Sequence, residues 1–381
     1  MRVVVLGGGY AGIVLTDRLE DRLPADVDLV VVDEDGQHLV QHELHRAIRR
    51  PSYADDIEVP LADVLDRARV EVATVESVDR DADRVAFADG STMEYDVLAV
   101  CLGAETEYYG LPGVEEHGLP LKRLEDAARI RAQFEDAIAA GGGTAVVGGA
   151  GLSGVQTAGE LAAFAREEDA PVDVVLLEQE PDVAPSFPAQ FQDAVRGELD
   201  REGVDVRTGV TVERATESVV ETADDTVPYD VFVWTGGIRG PDALGGERVD
   251  VRANFTVDDS VVALGDAARV VDAEGTAVPA SAQAAVREAK VAARNVEKLV
   301  ADAREREDGF RPRLDRYTFD SPGWLVSVGD GAVAQVGPTV FTGSAANAVK
   351  SSVGAGYLAS AAGVREAVEL LREEFGVEDA A

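Results

Sequence analysis

A single cysteine, Cys101, stands among 381 residues. No disulfide can close within such a chain, and no pair of thiols can relay electrons or hold zinc. Lysine is almost as scarce. Lys122, Lys290, Lys298 and Lys350 are the whole set, so the 35 basic residues are nearly all arginine. They stand against 72 acidic residues, a formal net charge of -37, which makes nucleic acid and anionic lipid poor partners. The acids are spread through every segment instead of forming a tail, a composition suited to a halophile's cytosol. Molar salt shortens the Debye length to about 3 Å and screens the self-repulsion of such a surface. No run of 18 apolar residues is present to span a bilayer, and the first strand pattern starts by Arg2, leaving no room for a signal peptide. A cytoplasmic address is expected. Aromatics are few, at 6%, yet 46% of the chain is hydrophobic, enough for the cores of two or three domains.

What is present is a duplication. "VVVLGGGYAG" from Val3 and "AVVGGAGLSG" from Ala145 each run an apolar strand into glycines, continue with helical spacing, and reach a second buried strand, "VDLVVVD" or "VDVVLLE". Short alternating segments with turn signals follow both times and read as antiparallel meanders. Each then closes on Tyr-Asp, a buried strand and glycine, "YDVLAVCLG" and "YDVFVWTGG". The expected fold is α/β, with two Rossmann-like dinucleotide-binding domains, each a three-layer unit of parallel sheet and antiparallel meander, and a small C-terminal α+β domain. The boundaries expected are 1–112 with 245–310 for the first domain, 113–244 for the second and 311–381 for the third.

In Gly7-x-Gly9-x-x-Gly12 the first glycine permits a tight turn, the second lets the backbone approach a pyrophosphate, and the third lets helix pack on strand. Amides of the helix start, at Tyr10 and Ala11, would face the phosphates, and Asp33 stands where ribose hydroxyls are bound. Gly149, Gly151, Gly154 and Glu178 repeat the constellation, with Gly236 at the end of the matching strand. One such motif is weak, since glycine-rich turns also serve plain packing; two in strand-helix-strand-acid context are strong. An acid at Glu178, with no Arg or Lys in "LLEQEPD", favours NADH over NADPH, because a carboxylate repels the 2′-phosphate.

Two dinucleotide folds, the "ALGDAARV" stretch and a small C-terminal piece make the chain resemble, over essentially its whole length, the two-dinucleotide-binding-domain flavoproteins, most closely type II NADH dehydrogenases. The resemblance implies FAD at Gly7, Gly9, Gly12 and Asp33, NADH at the inner fingerprint, and a ribityl-binding role for Asp266 after Gly265. It implies hydride transfer from NADH to flavin N5, then two electrons to a quinone, without proton pumping. "SAQAAVRE" resembles the quinone-side segment, which puts Gln283 nearest the acceptor, although Arg287 replaces the usual Gln. Gln156 stands where the family carries Glu; Gln cannot titrate, so Glu160, one turn on, becomes the alternative carboxylate.

The bland readings are a turn residue at Asp266, an alanine-rich packing helix around Gln283, and a buried small side chain at Cys101. His38, His42 and His45 are expected in a surface helix or flavin-lining loop, with no metal. Disulfide and sulfide:quinone reductases, which need cysteine pairs, are set aside. A reductase of a small carrier protein of the ferredoxin or rubredoxin type, or a non-catalytic NADH-sensing flavoprotein, stays as an alternative. The acidic helix "VREAVELLREEF" suits its own domain or a dimer partner as well as peripheral contact with the inner face of the cell membrane.

Overall fold

The computed structural model describes residues 1–305, 312–321, 323–343 and 345–348. The helix expected over 364–375 lies outside these residues. The first sheet is parallel throughout, in the order Val261–Ala263, Val97–Val100, Arg2–Leu6, Asp28–Asp33, Arg69–Val72. Its central strands are runs of β-branched side chains. Val3, Val4, Val5, Val30, Val31 and Val32 are all fully buried, as a sheet covered on both faces requires. Helices Tyr10–Arg22 and Ala282–Glu305 pack against each other on one face, and a three-stranded meander supplies Val85 and Phe87 to the same core.

The second sheet is also parallel, in the order Asp205–Thr208, Val172–Glu178, Gly143–Gly148, Val231–Trp234. Its meander buries Val212, Val220 and Val227 against Phe232 and Trp234. The repetition extends to detail that periodicity alone does not reach. Asp96 Oδ2 accepts the Arg2 amide, and Asp230 Oδ2 accepts the Thr144 amide, so each Tyr-Asp pair anchors the beginning of its module's first strand. Both meanders also shift register in their first strand pair, between Val75 and Ser77 and between Val212 and Arg214.

Two short strands, Glu105–Thr106 and Ile238–Arg239, leave the two sheets and pair antiparallel, Thr106 opposite Ile238. A further three-stranded antiparallel sheet, Gly323–Val328, Gly331–Val336 and Thr339–Thr342, lies on helices Leu152–Glu167 and Ala189–Glu202. Contact is close enough that a Cβ at Gly159 would run into the Gly329 amide. Among the described residues no helix is long and apolar enough to cross a membrane.

Candidate functional site

Both glycine loops sit at the carboxyl ends of their first strands, and their three glycines meet three different constraints. Gly7 and Gly149 adopt φ values of 99° and 95°, in the left-handed region where a side chain is strained. Cβ atoms at Gly12 and Gly154 would collide with the carbonyl oxygens of Gly7 and Gly149, so these residues set the approach of helix to loop. Gly9 and Gly151 differ: a Cβ at either would meet nothing within 4 Å. Packing therefore does not require glycine there, and the space a side chain would fill stands open at the mouth of each helix. Helices Tyr10–Arg22 and Leu152–Glu167 begin directly after them without a side-chain N-cap bond, and the amides of a first helical turn have no acceptor within the helix.

The two acids fold back onto these loops. Asp33 Oδ2 accepts the Gly8 amide at 2.8 Å, and its Oδ1 takes the Asp35 and Gly36 amides. Glu178 Oε2 accepts the Ala150 amide at 2.6 Å and its Oε1 the Glu180 amide at 2.9 Å. Gly236 closes the second loop from the side: a Cβ on Gly149 would lie 2.8 Å from Gly236 Cα, and Tyr109 donates to the Gly236 carbonyl at 3.3 Å. The Gly265-Asp266 turn abuts the first loop, where a Cβ on Gly265 would lie 2.9 Å from the Ala11 methyl.

The segment between the two modules' helices is organised by histidines. Tyr10 Oη lies 2.6 Å from His42 Nδ1 and accepts the His42 amide at 3.2 Å, while the His42 carbonyl accepts from Gln156 Nε2 at 3.3 Å. The first loop's helix and the second loop's helix are thus joined through one residue. Burial drives the Tyr10 phenol well above its ordinary pKa, so it stays protonated. His38 Nδ1 donates to the Gly8 carbonyl at 2.9 Å; burial lowers its pKa and keeps the ring neutral, and the buried Nε2 has no partner among the described residues. Among those residues no three His, Cys, Asp or Glu side chains converge as metal ligands.

Gln283 opens the Ala282–Glu305 helix and is held by the last segment: its Oε1 accepts from Ser321 Oγ at 3.0 Å and its Nε2 donates to the Gly323 carbonyl at 3.4 Å. Arg287 donates to the Asp320 carbonyl. Glu160, the alternative carboxylate one turn on from Gln156, is buried and bound by Arg49 Nε at 2.7 Å.

Three residues of this region escaped the sequence reading. Arg248 donates from Nε to the Asp266 carbonyl and from Nη2 to the Ala268 carbonyl, both at 2.7 Å. Glu288 accepts the Gly265 amide at 2.7 Å. Lys122 lies near Asp266 and Glu105; burial lowers its ammonium pKa and those two carboxylates oppose the shift. Its rarity, as one of four lysines, was the only signal in the sequence. Cys101 is buried, and desolvation pushes its thiol far above the ordinary value, so it is a packing residue and not a nucleophile.

The family model for pyridine nucleotide-disulphide oxidoreductases matches residues 1–289. The chain belongs to that family. Within it, the type II NADH:quinone oxidoreductase of Staphylococcus saprophyticus is 26% identical over 361 residues, covering 86% of this chain and 89% of the relative. The NADH dehydrogenase-like protein YutJ of Bacillus subtilis is 29% identical over 239 residues, 62% of this chain and 65% of that protein. Among solved structures, NDH2 from Plasmodium falciparum in complex with NADH superposes with a TM-score of 0.82 at 13% identity, over 98% of each chain. The sulfide:quinone oxidoreductase of Aquifex aeolicus gives 0.77 at 19% identity, covering 99% of this chain and 96% of that one. These likenesses establish the α/β fold. The disulphide in the family's description has no counterpart here, since Cys101 has no second thiol to pair with.

Proposed function

We propose that this chain is an FAD-dependent NADH dehydrogenase that reduces a quinone. The observation that carries the reading is the pair of open glycine positions, Gly9 and Gly151, each at the mouth of a helix and each backed by an acid, in one chain without a dithiol. Gly7, Gly9, Gly12, Asp33, Gly265 and Asp266, with the amides of Tyr10 and Ala11, fit FAD. Gly149, Gly151, Gly154, Glu178 and Gly236 fit NADH. The relatives named as NADH:quinone oxidoreductases support the same assignment.

FAD supplies the redox chemistry when bound, accepting hydride at N5 and returning two electrons to the acceptor. The protein positions and insulates. The loop amides and helix starts stabilise phosphate charge. Asp33 and Glu178 each have lone pairs left for ribose hydroxyls beside the amides they already hold. Through His42, Tyr10 and Gln156 fix the two loops relative to one another, which sets the approach of nicotinamide to flavin. Gln156, being uncharged, holds geometry and carries no proton. Gln283, anchored by Ser321 and Gly323, is the proposed acceptor-side residue.

The finer parts of the reading rest on composition and chemistry. The acid excess supports operation in concentrated salt, and a lipid-soluble quinone supports peripheral contact with a membrane surface, with a second copy of the chain as a further partner. Anaerobic stopped-flow tests the core: NADH should bleach a bound flavin's absorbance, and a short-chain quinone should restore it faster than oxygen. A colourless protein that takes up no FAD, or a reduced one that no quinone reoxidises, overturns the reading.

A further inference from the structure

Beneath the Gly265-Asp266 turn lies a carboxyl that the proposed reaction leaves unused. Glu288 sits on the same helix as Gln283 with only 2% of its surface exposed. Its Oε2 accepts the Gly265 amide at 2.7 Å. Gly265 is in the left-handed region, φ 68°, which glycine adopts without strain. The turn is held from two sides: Glu288 takes the amide entering it, and Arg248 takes the Asp266 and Ala268 carbonyls leaving it. Each of the two holders is committed to backbone.

A buried carboxyl is an expensive way to accept one amide hydrogen bond, since an amide oxygen would do so without desolvating a charge. The charge therefore calls for its own account. Within electrostatic reach of Glu288 are Asp266 and Arg248 at the turn, Cys101 at the end of the Val97–Val100 strand, and Tyr317 on the segment that follows. Of these, Asp266 is the group proposed to meet the ribityl chain, and FAD itself brings a negatively charged pyrophosphate.

We propose that Glu288 is a positioning residue for FAD: through the Gly265 amide it aims Asp266 at the ribityl chain, and a proton on Glu288 strengthens the hold on the anionic cofactor. The inference rests on the FAD reading above. Burial is the main reason the carboxyl is pushed up to about 7, with Asp266 adding to the shift and the Gly265 amide and Arg248 opposing it. Ionisation then falls near neutral pH. Adding a negative charge behind Asp266 weakens attraction for a second anion, so FAD affinity should fall as pH rises through this range.

The test uses the full chain and measures FAD dissociation by flavin fluorescence from pH 5.5 to 8.5, with circular dichroism as a check on folding. The wild-type dissociation constant should rise about tenfold across the window, with its midpoint near the Glu288 ionisation. Glu288→Gln keeps an oxygen on the Gly265 amide and should bind FAD with a flat pH profile. Glu288→Ala should bind more weakly at every pH. A Gln variant that keeps the wild-type step, or a wild-type profile without one, overturns the inference while leaving the cofactor reading intact. A wild-type protein that binds no FAD at any pH defeats the cofactor reading itself.

Discussion

Arg49 Nε donates to Glu160 Oε2 at 2.7 Å, and both side chains are about 95% buried, joining the segment after the first module's second strand to the helix of the second glycine loop. Arg49 Nη1 also reaches Glu167 and Asp330, each at 2.8 Å, and Asp330 belongs to the turn of the last sheet. Three parts of the molecule meet at one guanidinium. Glu167 and Asp330 are half exposed and add little. Glu160 is buried and loses its bond to the Arg49 guanidinium when that side chain is removed. Arg49→Met is therefore expected to cost about 3 kcal/mol of stability in denaturant unfolding. Arg49→Met combined with Glu160→Met should recover most of that loss, and a double variant as weak as the single one would contradict the account.

The glycines of each loop should separate by phenotype. Gly12→Ala and Gly154→Ala place a methyl on a carbonyl oxygen and should lower the melting temperature in the absence of any ligand. Gly151→Ala has room and should fold normally. Its KM for NADH should nevertheless rise tenfold or more, because the methyl occupies the side from which a pyrophosphate approaches. Equal melting temperatures for Gly151→Ala and Gly154→Ala would remove the distinction.

Nucleotide choice should rest on Glu178. With its oxygens bound to the Ala150 and Glu180 amides, the carboxylate cannot swing away from a 2′-phosphate. kcat/KM should favour NADH over NADPH by at least about a hundredfold, a few kcal/mol of like-charge repulsion in a partly desolvated site. Glu178→Gln should narrow that ratio mainly by improving NADPH. A wild-type protein that prefers NADPH would refute the assignment.

Glu288 also leaves a mark on stability without cofactor. Its folded pKa of about 7 lies above the ordinary value of 4.5, so the folded state binds its proton more tightly than the unfolded chain does. The resulting contribution is whole below pH 4.5 and is lost as pH rises through 7. Full ionisation corresponds to about 3 kcal/mol. In Glu288→Gln this particular decline disappears, and the difference in unfolding free energy between variant and wild type should grow from pH 4.5 to 7 and then level off. A pH-independent difference would show that the carboxyl does not titrate in that range.

The sequence disclosed those features that are carried by backbone constraint. Gly7, Gly9 and Gly12 can be read because their spacing reflects one local geometry, and the copy at Gly149, Gly151 and Gly154 confirmed it within the same chain. The paired Tyr-Asp marks were visible for the same reason, although their job of anchoring Arg2 and Thr144 was not. Illegible were the partnerships made only by folding. Arg49 and Glu160 are 111 positions apart, and Glu288 and Gly265 are 23 apart on different elements. Helical periodicity placed Glu160 one turn from Gln156 correctly, but could not say that an arginine would claim it. Lys122 and Arg248 belong to no motif, and Glu288 ends the "SAQAAVRE" segment without any feature that marks it there, so their roles emerged only from what surrounds them.

The antiparallel pairing of Glu105–Thr106 with Ile238–Arg239 has a mechanical consequence. The exits from both sheets travel side by side as one strap only two residues long on each side, so the first and second sheets are tethered at a single narrow ladder. Any rotation of one half against the other would carry both exits with it and turn about that ladder, which makes it the natural pivot between the two glycine loops.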